Sequence, residues 1–460
     1  MTTMLLPSPS RRRLVILAYP QVEHEKDYLY HWMPFSLLTI AQRLLADGDV
    51  DVMIFDGNQR TTQEWTAFLD EHLDRAVCIG VSIMTGGGQI RHALQMVREA
   101  KLRRGCPPVV FGGPHVNVLG EQTAAHELVD MALVGPGQRS MPELVRCLLG
   151  SGRLDQVPGL LMTRGGHLVK GPANAPKTEM MARYPWQLLN VQEYIRDDPT
   201  VAPRTLNYVS SQGCVYKCQF CYELTYQRAW SSMPADPLVQ DIAELVEAYD
   251  LSGVKFYDAD FFVQPRRAVD FCQALVARQL DVAWAASINP NDVLRSRKQR
   301  LDLLGSIADS GCRRLLMGIE SGSDRVLRDI VRKEITREQA YDVAADIAAH
   351  GILGCYTFIV GFPGETDAEV DETYDLLTAI SHLEPRPETR VHLFGPFPGT
   401  PLFDDALRCG FEAPDTLEGW ADFDYYDSQT PWTSAATVAR ARAHTRLVKQ
   451  PGAARAEVSA

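Results

Sequence analysis

Ser211-Gln212-Gly213-Cys214-Val215-Tyr216-Lys217-Cys218-Gln219-Phe220-Cys221-Tyr222 is the stretch on which the reading of this chain turns. Its cysteines have the spacing C-x3-C-x2-C and follow a short segment, Asn207–Ser210, that reads as a strand. Three thiolates on one short loop can hold three irons of a [4Fe–4S] cluster and leave the fourth iron without a protein ligand. A zinc loop fits less well. Zinc takes four ligands, often in paired C-x2-C knuckles, and no second knuckle or suitably spaced His stands nearby. An ordinary electron-transfer cluster would call for a fourth cysteine. The other cysteines (Cys78, Cys106, Cys147, Cys272, Cys312, Cys355 and Cys409) are scattered. Cys78, Cys272 and Cys355 lie in apolar patterns and read as small buried hydrophobes. A disulfide framework is not expected in so long and cysteine-poor a chain.

Working outward, strands are expected at Asn207–Ser210, Val254–Tyr257, Val282–Ala286, Arg314–Gly318, Tyr356–Val360 and Val391–Phe394, each pair separated by room for one helix. Six such units are too few for a closed eight-stranded barrel, so 205–400 should form a partial (β/α)6 barrel. Upstream, Leu14–Leu17, Asp51–Asp56, Cys78–Ser82, Val109–Phe111 and Ala132–Val134 alternate with helical patterns such as Leu37–Leu45. That pattern predicts an α/β fold with a doubly wound parallel sheet over 1–150. Ligands of such sheets sit at the carboxyl ends of the strands. Those ends carry three glycine loops: Ser82-Ile83-Met84-Thr85-Gly86-Gly87-Gly88, Gly112-Gly113-Pro114-His115 and Gly135-Pro136-Gly137-Gln138. The Pro- and Gly-rich span 151–204 reads as a linker with a small hairpin around Leu160–Met162 and His167–Val169. Residues 401–460 read as a C-terminal helical tail with an acidic-aromatic stretch, Trp420 to Trp432.

Composition sets further bounds. The chain has 460 residues and a formal net charge of −12, enough length for two or three cores and the wrong sign for a phosphate backbone. No nucleic-acid partner is expected. Met1 to Ser10 lacks the apolar run of a signal peptide, and Arg11-Arg12-Arg13 reads as a solvated lead-in. No window approaches the ~20 apolar residues of a membrane span. The expectation is a cytoplasmic protein with no membrane partner.

The cysteine motif, with an aromatic residue just before its third cysteine, resembles the radical S-adenosylmethionine (SAM) superfamily over about residues 205–400. The resemblance implies that Cys214, Cys218 and Cys221 bind a [4Fe–4S] cluster whose open iron takes the amine and carboxylate of SAM. One electron then cleaves SAM to a 5′-deoxyadenosyl radical. It further implies that Phe220 packs by the adenine, with Tyr222 beside it. Asp258 or Asp260, after the second strand, would hold the methionine amine, while Ser287, Asn289 and Asn291 would reach SAM or substrate. Glu320 or Ser321 would contact the ribose, and Ile359 and Gly361 belong to the adenine motif of the fifth strand. That motif departs from the usual pattern at Thr357, where glycine is more common. Asp258, Asp260, Glu320 and Tyr216 are the candidates for acid–base or other catalytic work.

The N-terminal glycine loops resemble the cobalamin-binding domain fused to many radical SAM enzymes. Gln138 stands where Glu is commoner, and no Asp-x-His-x-x-Gly segment supplies a lower axial histidine. His115 is expected to make a turn hydrogen bond. Cobalamin therefore stays open as a third cofactor. Two reactions follow from the resemblance. The favoured one is radical dehydration of an amino-sugar diol, as in aminoglycoside antibiotic biosynthesis; the alternative is cobalamin-dependent C-methylation in natural-product biosynthesis. Three features tilt toward dehydration: bulky Tyr216 between the cluster cysteines, carboxylates at strand ends able to grip ammonium groups, and little chain after the barrel. A small polar substrate and an external donor such as flavodoxin or ferredoxin are the expected partners.

Overall fold

The computed structural model describes residues 13–22, 32–175, 179–180, 183–227, 229–425 and 428–449. Met1–Ser10, Arg11, Arg12 and the polar Ala-rich tail from 450 onward lie outside the described residues. The chain forms two compact units. The first comprises 1–176, 184–190 and 414–423, and the second 177–183, 191–413 and 424–460.

In the first unit β1 (Leu14–Tyr19), β2 (Asp51–Asp56), β3 (Ala76–Ser82), β4 (Val109–Gly112) and β5 (Met131–Leu133) run parallel in the order β2-β1-β3-β4-β5. They alternate with α1 (Phe35–Asp47), α2 (Thr62–His72), α3 (Gly88–Lys101), α4 (Pro114–Ala124) and α5 (Gly137–Leu148). β1 is buried along its whole length. Helices cover both faces of such a sheet, so its central strand is a continuous apolar run rather than an alternating one. α1 and α5 pack together over a core that includes Val15, Leu17, Leu37, Cys78 and Leu144. Thr61 starts α2 with a capping box to Glu64.

The span expected as a linker is structured at its start. β6 (Leu160–Arg164) pairs antiparallel with β5, and β7 (His167–Lys170) with β6, so the hairpin extends the first sheet. Only Leu160 and Leu161 of β6 are buried. An edge hairpin with so little apolar content leaves a weak sequence signal.

The second unit holds β8 (Arg196–Asp198), β9 (Ala202–Tyr208), a small ribbon of β10 (Ser211–Gly213) and β11 (Trp230–Ser232), then β12 (Gly253–Phe256), β13 (Ala283–Ile288), β14 (Cys312–Glu320), β15 (Leu353–Val360) and β16 (Glu388–Leu393). The main sheet runs β16-β15-β14-β13-β12-β9-β8. Its first six strands are parallel, each joined to the next by helix, and β8 closes the edge antiparallel. This is the partial (β/α)6 barrel. β9 begins at Ala202, earlier than expected, because its first residues pair with β8, an Arg-Asp-Asp strand with no apolar signature.

Candidate functional site

The cysteine loop leaves the end of β9 and is pinned at three places. At its start, Asp258 accepts from the Ser210 amide (2.6 Å), the Ser210 hydroxyl (2.6 Å) and the Ser211 hydroxyl (2.8 Å). Arg267 donates to the Ser210 hydroxyl as well. Next, Gly213 has φ +87°, and a Cβ there would lie 1.8 Å from the carbonyl oxygen of Ala229 across the β10–β11 ribbon. Only glycine fits directly before Cys214. In the middle of the loop the Gln219 amide donates to the Val331 carbonyl (2.9 Å), and the Gln219 carbonyl accepts from the Leu402 amide (3.2 Å). Cys214, Cys218 and Cys221 are all free thiols. Burial raises the pKa of each, that of Cys214 to about 12, and each sulfur lies within electrostatic reach of at least one of the others. A ligated metal centre reverses that cost, because a coordinated thiol is held as thiolate. Among the described residues, no three His, Cys, Asp or Glu side chains gather tightly enough for a single metal ion.

The strand-end carboxylates expected to work as a set have separate employments. Asp258, 2% exposed, is the clamp just described and has no oxygen to spare. Glu320 has φ +75° and sits where the β14–β15 register slips. Its carboxylate folds over Gly318, where a Cβ would meet Glu320 Oε1 at 2.1 Å. There it pairs with buried Lys333 at 3.1 Å. Burial opposes the Lys333 charge, but the Cys218 sulfur and the Glu320 carboxylate outweigh it and raise the lysine pKa.

Asp260 is different. Its Oδ1 accepts from the Phe262 amide, and its Oδ2 receives no donor from the described residues. Burial and the neighbouring Asp292 carboxylate raise its pKa well above the usual range, which favours its protonated form. Asp292 accepts from the Tyr216 hydroxyl, from Arg295 and from the Asn289 amide. Tyr216, expected as a catalytic group or as an obstruction, is thus bonded to Asp292, while burial and that carboxylate raise its own pKa.

Other expected contacts sort in the same way. Ser321 is fully buried; its hydroxyl bonds that of Thr373 and accepts from the Ser323 amide. Asn289 caps the helix Pro290–Lys298 through its side-chain oxygen, and Asn291 donates to the Lys333 carbonyl. The Gly361 amide donates to Glu365, and its carbonyl accepts from Trp432. Phe220 is half-buried, its ring 6.1 Å from that of Phe362. The Tyr222 ring meets Phe397 edge-on at 5.2 Å. Ser287 and Ile359 are half-buried on one continuous face of the sheet. Strand register places Asn207, Lys255, Thr357, Arg390 and His392 on that face too. It is the more open and polar face of the partial barrel, opposite the fully buried residues of the same strands. Lys333, Asp292 and Arg267 were missed from sequence. They lie on helices or turns, away from the strand ends where functional groups were sought.

In the first unit, Gly113 has φ +97°, and a Cβ there would meet Ile83 O at 2.6 Å and Ser82 Oγ at 2.9 Å. The loops after β3 and β4 therefore press backbone against backbone. His115 makes no turn hydrogen bond through its ring. Only its amide is engaged, donating to Ile83 O, and both ring nitrogens lack a partner among the described residues.

A family model described as the radical SAM superfamily matches residues 208–377, and one described as a B12 binding domain matches 27–145. The chain carries a radical SAM domain and a B12-binding domain. An uncharacterized methyltransferase of Pyrococcus horikoshii is 26% identical over 65% of this chain and 63% of its own length. The chain thus spans less than two-thirds of that relative. An anaerobic magnesium-protoporphyrin IX monomethyl ester cyclase of Rubrivivax gelatinosus is 25% identical over 87% of this chain and 70% of its own. Among solved structures, the radical SAM methyltransferase TsrM of Kitasatospora setae, with cobalamin and [4Fe–4S] cluster bound, superposes with a TM-score of 0.68. That match is 19% identical over 86% of this chain and 78% of that one. The cobalamin-dependent radical enzyme OxsB gives 0.65, at 19% identity over 80% and 52%. These likenesses carry the fold.

The radical SAM domain implies a [4Fe–4S] cluster and SAM. The donor set fits: three free thiols share one pinned loop, and a half-buried aromatic ring, Phe220, lies beside the third. In the B12-binding domain the cofactor would lie at the carboxyl ends of the parallel strands, where a Cβ on Gly87 would have nothing within 4 Å. No helix among the described residues is long and apolar enough to cross a membrane.

Proposed function

We propose that the chain is a cobalamin-dependent radical SAM methyltransferase acting on a carbon of a small polar molecule. The observation that carries this reading is the presence, in one chain, of a three-cysteine cluster loop and a B12-binding domain. Relatives named as methyltransferases support it: the Pyrococcus horikoshii protein, and the cytidylyl-2-hydroxyethylphosphonate methyltransferase of Streptomyces wedmorensis, 22% identical over 66% of this chain. When bound, the cluster and cobalamin would supply one-electron cleavage of SAM and a methyl carrier. The chain's own residues bind and orient. Cys214, Cys218 and Cys221 would hold the cluster. Phe220 offers a ring face to the adenine, and Lys333, beside Cys218, places a buried positive charge next to the thiolates. Asn207, Ser287, Thr357 and Arg390 line the open face of the sheet and favour a substrate rich in hydrogen-bonding groups.

The expectation of amino-sugar dehydration loses its footing. Asp258 is spent on Ser210 and Ser211, Glu320 on Lys333, and Asp260 favours its protonated form, so this set leaves no free carboxylate to grip an ammonium. Tyr216 is bonded to Asp292. The test is incubation of the anaerobically reconstituted protein with hydroxocobalamin, a flavodoxin- or ferredoxin-class reductant, deuteromethyl-SAM and a panel of small polar substrates. S-adenosylhomocysteine, 5′-deoxyadenosine and a product carrying the labelled methyl support the proposal. 5′-Deoxyadenosine with a product lighter by water, and no S-adenosylhomocysteine, overturns it in favour of dehydration.

A further inference from the structure

We infer that Arg390, with Thr357 beside it, reads an anionic group of the substrate, so that the small polar molecule taken at this site carries a carboxylate or a phosphate. The inference rests on the proposed binding of substrate at the open face of the barrel and names the chemical class that face selects. Arg390 stands on β16, the last strand of the sheet. Successive residues of a strand point to opposite faces. Thr389, one residue earlier, is buried, and its hydroxyl meets His444 of the helix Ala435–Lys449 at 3.3 Å. Arg390 therefore stands on the other side, the open one. The ladder runs from Arg390 to Thr357 of β15 and on to Gly318 of β14, the glycine over which Glu320 folds. Two strand spacings make that about 10 Å, so the guanidinium is within reach of a small molecule lying against the strand end that carries Glu320.

Its charge balance sets Arg390 apart. The charges already placed around the sheet are matched. Asp258 faces Arg267 across the Ser210 hydroxyl, Asp292 pairs with Arg295, and Glu320 pairs with Lys333 at 3.1 Å. Lys255 reaches Asp198 at 2.5 Å. Arg314, its side chain 5% exposed, holds Glu388 Oε2 at 2.9 Å. Arg390 comes to that same oxygen from 3.4 Å. One carboxylate thus serves two guanidiniums, and the nearer of them is the buried one. Glu388 is the only carboxylate that Arg390 meets among the described residues. The Arg390 side chain remains 39% exposed, open to a ligand. His392, next on the same face, adds no compensation, because burial and Arg390 hold its pKa down and the ring is uncharged. A guanidinium left with half a partner favours an anion beside it, and its planar fork suits the paired oxygens of a carboxylate or phosphate. Thr357, half-buried on the neighbouring strand, brings a hydroxyl donor to the same place. An ammonium would meet the surplus charge as repulsion.

The experiment uses the full-length reconstituted protein with SAM and a small-molecule extract of bacterial cells, divided on anion-exchange resin into retained and unretained fractions. Phenylglyoxal marks accessible guanidiniums, and mass spectrometry of the peptide spanning Glu388–Leu393 reads Arg390. The retained fraction is expected to slow that marking about fivefold or more beyond inorganic phosphate at equal ionic strength, and the unretained fraction to leave it within about twofold. In the deuteromethyl-transfer assay the label should enter a compound of the retained fraction. Arg390→Gln should lower that yield about tenfold or more, Arg390→Lys should recover part of it, and SAM affinity and melting temperature should hold. Protection by neither fraction, or by the unretained one as well, overturns the inference. So does an Arg390→Gln yield within about twofold of wild type. A parallel loss of SAM affinity would place the contact on SAM's own carboxylate, and a fall in melting temperature without recovery in Arg390→Lys would mark a structural role; either overturns it. Protection by the retained fraction with no labelled product from any fraction leaves the inference standing and overturns methyl transfer instead.

Discussion

Lys333→Met is the most informative single substitution in the second unit. Lys333 Nζ and Glu320 Oε1 are 3.1 Å apart, and both side chains are buried. At an effective dielectric constant near 20, that separation gives an attraction of about 5 kcal/mol. Desolvation of the two ions consumes a comparable amount, so the intact pair contributes little net stability. Removing one partner is another matter. Glu320 would remain buried at the end of β14 with no counter-charge, at a cost of about 3–5 kcal/mol. The opening free energy of β14 should fall by that amount, and its amide hydrogen exchange should accelerate about 10²- to 10⁴-fold. Lys333→Met/Glu320→Gln removes both charges and should recover most of the loss. The assay is exchange mass spectrometry of peptides spanning Cys312–Glu320 in all three proteins. Exchange in Lys333→Met within about threefold of wild type would refute the argument. So would a double variant as labile as the single one.

Three further outcomes are expected. Gly213→Ala forces a Cβ into the Ala229 carbonyl at φ +87°, so reconstituted protein should carry less than about half the wild-type iron, measured colorimetrically; full iron content would contradict the geometry. On the cluster-binding role proposed for Cys218, Cys218→Ser should lose the cluster's visible absorbance and all SAM cleavage while keeping its far-ultraviolet circular dichroism, because serine nearly matches cysteine in size. Glu365 gives a pH signature. Burial pushes its pKa up to about 7 against hydrogen bonds from Gly361 and Phe362. The folded protein therefore binds the extra proton between about pH 4.5 and 7, and this contribution to stability is present below that window and lost as pH rises through it. The loss amounts to at most about 3 kcal/mol, and denaturation of Glu365→Gln across pH 5 to 8 should be flatter than wild type by a measurable part of it.

The amino-acid sequence by itself determined the architecture and the cluster. Parallel strands buried on both faces must be apolar runs, and β1 to β5 and the six barrel strands were legible for that reason. C-x3-C-x2-C is local, so Cys214, Cys218 and Cys221 needed no tertiary information. The separate surroundings of Asp258, Asp260 and Glu320 were not legible in the sequence, because a carboxylate's role depends on what faces it. Ser210, Asp292 and Lys333 lie 48, 32 and 13 residues away from those three in sequence, separations over which no periodicity speaks. Hairpin β6–β7 was only half visible for a related reason: its pairing with β5, not its own composition, makes it part of the sheet. The placement of 414–423 was beyond sequence altogether. An amphipathic five-residue helix such as Leu417–Ala421 carries no sign of which unit it joins. Only the fold, by bringing Trp420 to Gly87 and His115, shows that the first unit is completed by residues from nearly the end of the barrel sequence.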